Sequence, residues 1–149
     1  MVNRKKSPRH FLLEPEKKLV EEAIRKAEGK TSGEIRIVLD HQAGGDVLAQ
    51  ARKAFNHLKM VKTKHRNAVL IFLAVKDGAF AILGDKGIHE KLGQGFWNET
   101  AAQMQKAFAG DAFGTGLETA IQRIGESLAI HFPREKKDAN ELPDRIREV

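Results

Sequence analysis

The sequence predicts a layered α/β fold in which helices bracket a small sheet, and three observations carry that prediction. Apolar residues recur at helical spacing in several separate stretches. The run NAVLIFLAV, residues 67–75, is apolar on both alternating faces, the mark of a strand covered on two sides. A strand, a helix and a second strand then lead into a tight reversal.

The elements follow in order. In LLEPEKKLVEEAIRKAEGKTSG, Leu19, Val20, Ala23, Ile24 and Ala27 line one helical face, with Pro15 suited to the first turn and Gly29 to the stop. EIRIVLD alternates Ile35, Ile37 and Leu39 and is rich in branched residues, so it reads as the first strand. After the turn signal AGGD, Val47, Leu48, Ala51, Phe55 and Leu58 return to helical spacing, with Asp46 placed to cap the helix. The second strand is NAVLIFLAV, and KDG turns it back into AFAILG, a third strand and hairpin partner. A short helix in GIHEKLG is followed by two longer ones, the first with Trp97, Ala101, Met104 and Phe108 on one face and the second with Leu117, Ala120, Ile121, Ile124 and Leu128. This divides the chain into a basic N-terminal arm over 1–13, a domain over 14–132 and a charged tail over 133–149, where Leu142 and Ile146 are possible docking points.

Composition narrows the classes. At 149 residues and 41% hydrophobic, with a mean hydropathy of −0.44, one soluble globular domain is expected. The longest apolar run, AVLIFLAV, falls far short of the ~20 residues that a helix needs to cross a bilayer, so no membrane span is expected. The N-terminus has basic residues but no apolar stretch behind them, which argues against export and for a cytoplasmic location. Zero cysteines exclude disulfides and thiolate metal sites. The net charge of +6 sits in two places, the arm with Arg4, Lys5, Lys6 and Arg9, and KMVKTKHR with Lys59, Lys62, Lys64 and Arg66. Setting these aside leaves 18 basic residues against 20 acidic ones, and tyrosine is absent, so nucleic acid is not the expected partner.

Strand direction then gathers candidate ligands. A helical crossover makes the first two strands parallel, and the hairpin reverses the third. Glu34, Asn67 and Asp85 should therefore share one sheet edge, with Asp40 at the opposite one, and Glu90 should lie just over a turn beyond Asp85. Carboxylates and amide oxygens are what calcium or magnesium takes as ligands. The plainer alternative is that Asp85 caps the helix that begins near Gly87 and that Glu34 is an exposed strand end; Asp111, just before a helix, is open to the same capping alternative. His89 neighbours this edge and could serve as acid or base, though packing is the commoner role for such a histidine. None of the six histidines stands at zinc-site spacing, no serine sits in a GxSxG elbow, and GQG at 93–95 is too little for a phosphate loop.

The succession TSGEIRIVL, RNAVLIFLAV, FAILGDKGIHEKLGQGFW, GDAFGTGLETAIQRIGESLAIHFP and NELP resembles a TPM domain, in the short, membrane-free branch of a family named for thylakoid-lumen, photosystem and membrane relatives. The likeness spans roughly residues 14–146. It implies a three-layer α/β/α sandwich with a small mixed sheet, an acidic cleft for Ca2+ or Mg2+, and in some members a weak acid phosphatase activity. Carried onto this chain, it implies Glu34, Asp85, Glu90 and Asp111 as metal ligands, with Arg66, Asn67 and His89 in support. Where relatives often have DNG this sequence has Arg66, Asn67 and Ala68, and a guanidinium there would weaken a cation site or offer a phosphate clamp. Three functions are therefore expected to compete: a divalent-cation module, a metal-assisted phosphatase acting on a phosphate ester, and a non-catalytic interaction or assembly domain that works through the basic loop or the tail.

Overall fold

The computed structural model describes residues 4–41, 44–135 and 146–149. Helix α1 (Pro8–Phe11) and helix α2 (Glu14–Glu28) lead into strand β1 (Glu34–Asp40). Helix α3 (Val47–His57) and a 3-10 turn (Met60–Lys62) return the chain to β2 (Ala68–Ala74), which reverses into β3 (Ala79–Gly84). Helices α4 (Lys86–Ala109) and α5 (Phe113–His131) follow, and a two-residue strand, β4 (Arg147–Glu148), comes from the tail. Within α4 the expected short helix and its longer successor are two helical stretches that meet at Gly93, whose φ of 78° and ψ of 167° break the helical path where glycine tolerates it.

The sheet order is β3-β2-β1-β4, with β1 parallel to both β2 and β4 and β3 antiparallel to β2. Alternation along the strands divides the core. Ile35, Ile37, Leu39, Val69, Ile71 and Leu73 face α2, α4 and α5, and Val38, Leu70 and Phe72 face α3 through Ala51, Phe55 and Met60. Helices on one side, a mixed sheet, and α3 on the other make the α/β/α sandwich. Among the described residues no helix is long and apolar enough to cross a membrane.

Register confirms the expected edge. Glu34 lies opposite Ala68, Gly84 opposite Val69, and the Asp85 N–H donates to the Ala68 carbonyl at 2.9 Å. The ends of the chain depart from a plain arm and tail. Arg4 is largely buried, Phe11 and Leu12 join the core, and Ile146 packs beside β4. Burying those apolar side chains holds both segments against the body. Leu142 lies outside the described residues.

Candidate functional site

Asp85 ends β3 and begins α4, so its carboxylate stands at a helix N-terminus, where backbone N–H groups lack partners. Its Oδ1 accepts the Lys86 N–H at 2.8 Å. The same carboxylate is gripped from across the edge, Arg66 Nε donating to Oδ2 at 2.6 Å and Nη2 to Oδ1 at 2.8 Å. Asp85 is 7% exposed. This forked, charge-assisted pairing holds the Arg66 guanidinium above its ordinary pKa, against a smaller opposing effect of desolvation. The loop is pressed onto the helix as well: a Cβ on Gly87 would lie 2.1 Å from the His65 carbonyl oxygen, and the Arg66 carbonyl accepts the Ile88 N–H at 3.3 Å. Arg66 reaches this position with φ at 53°, in the left-handed region that non-glycine residues seldom occupy.

Glu34 is buried, and Arg36 Nη2 donates to its Oε2 at 2.9 Å. Arg36 Nη1 also reaches Glu28 Oε2 at 2.6 Å, and that oxygen accepts the Ile35 N–H at 2.8 Å. The result is a buried Glu28–Arg36–Glu34 chain of charges that joins the end of α2 to β1. Asn67 turns its amide to Ser32 Oγ at 3.2 Å, while its buried Oδ1 has no hydrogen-bond partner among the described residues. His89 Nδ1 accepts the Trp97 indole N–H at 3.0 Å, so the proton of the neutral ring belongs on Nε2 and the lone pair a base would use is occupied. Glu90 is exposed, five positions beyond Asp85 and so about 140° round the helix from it.

Asp111 lies elsewhere. Helix α5 starts beside Phe108, which packs on Phe80 at the start of β3, and it ends with the Phe132 carbonyl at Thr31 and Ser32. Asp111 therefore sits at the Asp40 edge, across the sheet from Asp85. It does not cap α5, whose N-cap is Ala112; it takes a φ of 61°, and its Oδ1 accepts Arg4 Nε at 2.9 Å. Arg4 also forks onto Glu16 at 2.6 and 2.7 Å. Burial pushes the Glu16 carboxyl up, but hydrogen bonds from Arg4 and from the Leu13 and Gly114 N–H groups outweigh it and hold it below the usual carboxylate range.

The structure thus brings Asp85, Arg66 and Asn67 to one edge with Glu34, and leaves Glu90 outside and Asp111 on the far rim. Three of the four carboxylates have an arginine where a cation would have to sit. Among the described residues no three histidine, aspartate or glutamate side chains stand where they could hold one metal ion. A calcium or magnesium ion would have to displace a guanidinium to use the Asp85, Glu34 or Asp111 carboxylate as paired here, whereas Asn67 Oδ1 and the exposed Glu90 are not engaged by an arginine. Sequence reasoning missed the partners Arg4, Glu16, Glu28 and Arg36, since nothing in local spacing shows which cation a carboxylate will meet. It also missed a cavity of about 690 Å³ between the N-terminal arm and β4, lined by Arg9, His10, Lys17, Arg36, Arg147 and Glu148.

The model of the TPM domain family matches residues 6–127, most of the chain. This chain is a member of the TPM domain family. It is similar to the BA42 protein of the psychrophilic bacterium Bizionia argentinensis, whose NMR structure is 43% identical over 92% of this chain and 94% of that one, with a TM-score of 0.84. The N-terminal domain of the cg2496 protein from Corynebacterium glutamicum, at 13% identity, 78% and 74% coverage and a TM-score of 0.62, shares the TPM fold. No curated protein matches the chain.

Proposed function

We propose that this TPM domain is a non-catalytic binding module, one that recognises a partner through its surface and does not turn over a phosphate ester at the sheet edge. The Arg66–Asp85 fork carries the reading. Asp85 accepts three hydrogen bonds, two of them from a guanidinium whose charge offsets its own, so most of its acceptor capacity is already engaged within the protein. His89, the neighbouring candidate base, spends its acceptor nitrogen on Trp97.

A cation module or a metal-assisted phosphatase, the activities that the family likeness suggests, would have to displace Arg66 before Asp85 could coordinate an ion. Calorimetric titration with calcium and with magnesium, alongside a generic phosphate-ester assay, separates the readings. Under the binding-module reading, hydrolysis stays at background with either metal, and millimolar metal leaves the melting temperature unchanged. Metal uptake or metal-dependent turnover that Asp85→Asn abolishes would replace it with the cation-dependent reading.

A further inference from the structure

The face built by α3 and the loop after it carries an unbalanced charge. From Val47 to Arg66 the chain has Arg52, Lys53, Lys59, Lys62, Lys64 and Arg66 and not one acidic residue. Arg52, Lys59, Lys62 and Lys64 are exposed, and Lys86 adds another exposed cation next to Asp85. Of the carboxylates at this rim, Asp85 is committed to Arg66 and Glu34 to Arg36, and Glu135 lies 3.8 Å from His65.

The loop is held in one shape. A 3-10 turn brings every third residue to the same side, and here Met60 and Thr63 point inward, Met60 fully buried and Thr63 accepting the Asn67 N–H through Oγ1 at 3.2 Å. Val61, Lys62 and Lys64 are thereby turned outward. Lys59 enters the turn at φ 58° and Arg66 leaves it at 53°, two non-glycine residues in the left-handed region at the ends of one eight-residue loop. Backbone strain of this kind is kept where a particular display of side chains is useful.

The display includes apolar groups that water does not favour. Val61 is 38% exposed among its lysines, and Leu48, on the first turn of α3, is 42% exposed. Leu48, Arg52 and Asn56 form an i, i+4 stripe, and Arg52, Asn56 and Val61 line a common cleft of about 230 Å³. One surface therefore presents two apolar side chains framed by lysine and arginine.

We propose that this face docks on an anionic lipid surface, with the lysines against the headgroups and Val61 and Leu48 at the acyl boundary. The docking rests on the binding-module reading and specifies its partner. Lysine supplies a point charge on a long flexible stem, which suits a diffuse anionic layer better than the forked recognition arginine provides. Projecting aliphatic residues gain from a lipid interface and would gain nothing from a phosphate backbone. Phe55, the phenyl ring of this face, is buried, so no Phe, Tyr or Trp ring is offered for base stacking.

Co-sedimentation of the full chain with vesicles tests the assignment, comparing pure phosphatidylcholine with phosphatidylcholine containing about a third phosphatidylserine. The chain should sediment with the anionic vesicles alone and be released by salt. The double variant Lys62→Glu, Lys64→Glu should weaken partitioning by at least about 30-fold, and Val61→Ser by about 5-fold with no change in charge. Lys18→Glu and Lys106→Glu, on helices across the sheet, change net charge equally and should have much less effect. All these positions are exposed or half-exposed, so an unchanged melting curve checks that each variant is folded. Failure to bind anionic vesicles, equal binding to neutral ones, a Val61→Ser variant that partitions like the parent, or tighter binding to a mixed-sequence nucleic acid with the same lysine dependence would each overturn the proposal. Metal-dependent ester turnover would overturn the binding-module reading and leave the vesicle result standing. Absent vesicle binding with turnover at background removes the lipid docking alone.

Discussion

Arg66 and Asp85, nineteen positions apart in sequence, meet as a forked ion pair that ties the loop before β2 to the first turn of α4. The pair closes the sheet edge at which the strand ends converge. It also divides the labour of Asp85, which caps a helix with Oδ1 and anchors a loop with both oxygens.

The two roles of Asp85 are separable. Asp85→Ala should lower stability by about 1–2 kcal/mol by removing the cap together with the fork, and Asp85→Ser should recover part of that loss by restoring an oxygen to the Lys86 N–H. Urea denaturation of both variants measures the difference; equal stabilities would mean that capping contributes nothing.

Gly84 is required by its neighbour. A Cβ there would lie 2.4 Å from the Trp97 ring, so Gly84→Ala should cost about 1–3 kcal/mol through overpacking. Trp97 is the single tryptophan, and its fluorescence reports on the site directly. Combining Gly84→Ala with Trp97→Leu should show a favourable coupling, because the smaller side chain removes the clash.

The Glu28–Arg36–Glu34 chain of charges is buried throughout. Truncation by Arg36→Ala strands two carboxylates and should cost about 3–5 kcal/mol, whereas Arg36→Met made together with Glu34→Leu and Glu28→Gln should cost less. Glutamine keeps an acceptor for the Ile35 N–H, which the Glu28 carboxylate now receives. Thermal melts of the two proteins, side by side, decide whether the damage comes from losing the pair or from leaving charge unpaired.

The N-terminal clamp predicts acid sensitivity with a definite sign. Glu16 has a lower pKa folded than its reference of 4.5, so its contribution is complete above 4.5 and disappears as pH falls through the depressed folded value. Lys17, raised above 10.5 chiefly by its hydrogen bond to Glu148, contributes fully below that value and loses its contribution as pH rises through the higher folded one. Glu16→Gln should flatten the acid limb of a stability–pH curve and leave the alkaline limb unchanged.

Much of the architecture was legible in the order of residues. Periodicity located the helices and strands, Asp46 was recognisable as the cap of α3, whose Leu48 and Ala49 N–H groups it accepts, and strand direction brought Asp85 to the edge occupied by Glu34 and Asn67. The capping alternative for Asp85 describes what its carboxylate does, but the one for Asp111 does not, since Arg4 holds it. Arg4 itself reads as one cation in a basic arm, and in the fold it joins Glu16 to Asp111, 107 positions away from it.

Burial periodicity is a local property, because each residue's side of a helix or strand follows from its place in the repeat, and so the sequence by itself determined the layers and the edge. Which carboxylate meets which guanidinium depends on a few ångströms between segments distant in the chain, and long charged side chains can reach several partners. That choice was made by the tertiary structure, and it filled with arginine the edge that the carboxylates alone would have offered to a cation.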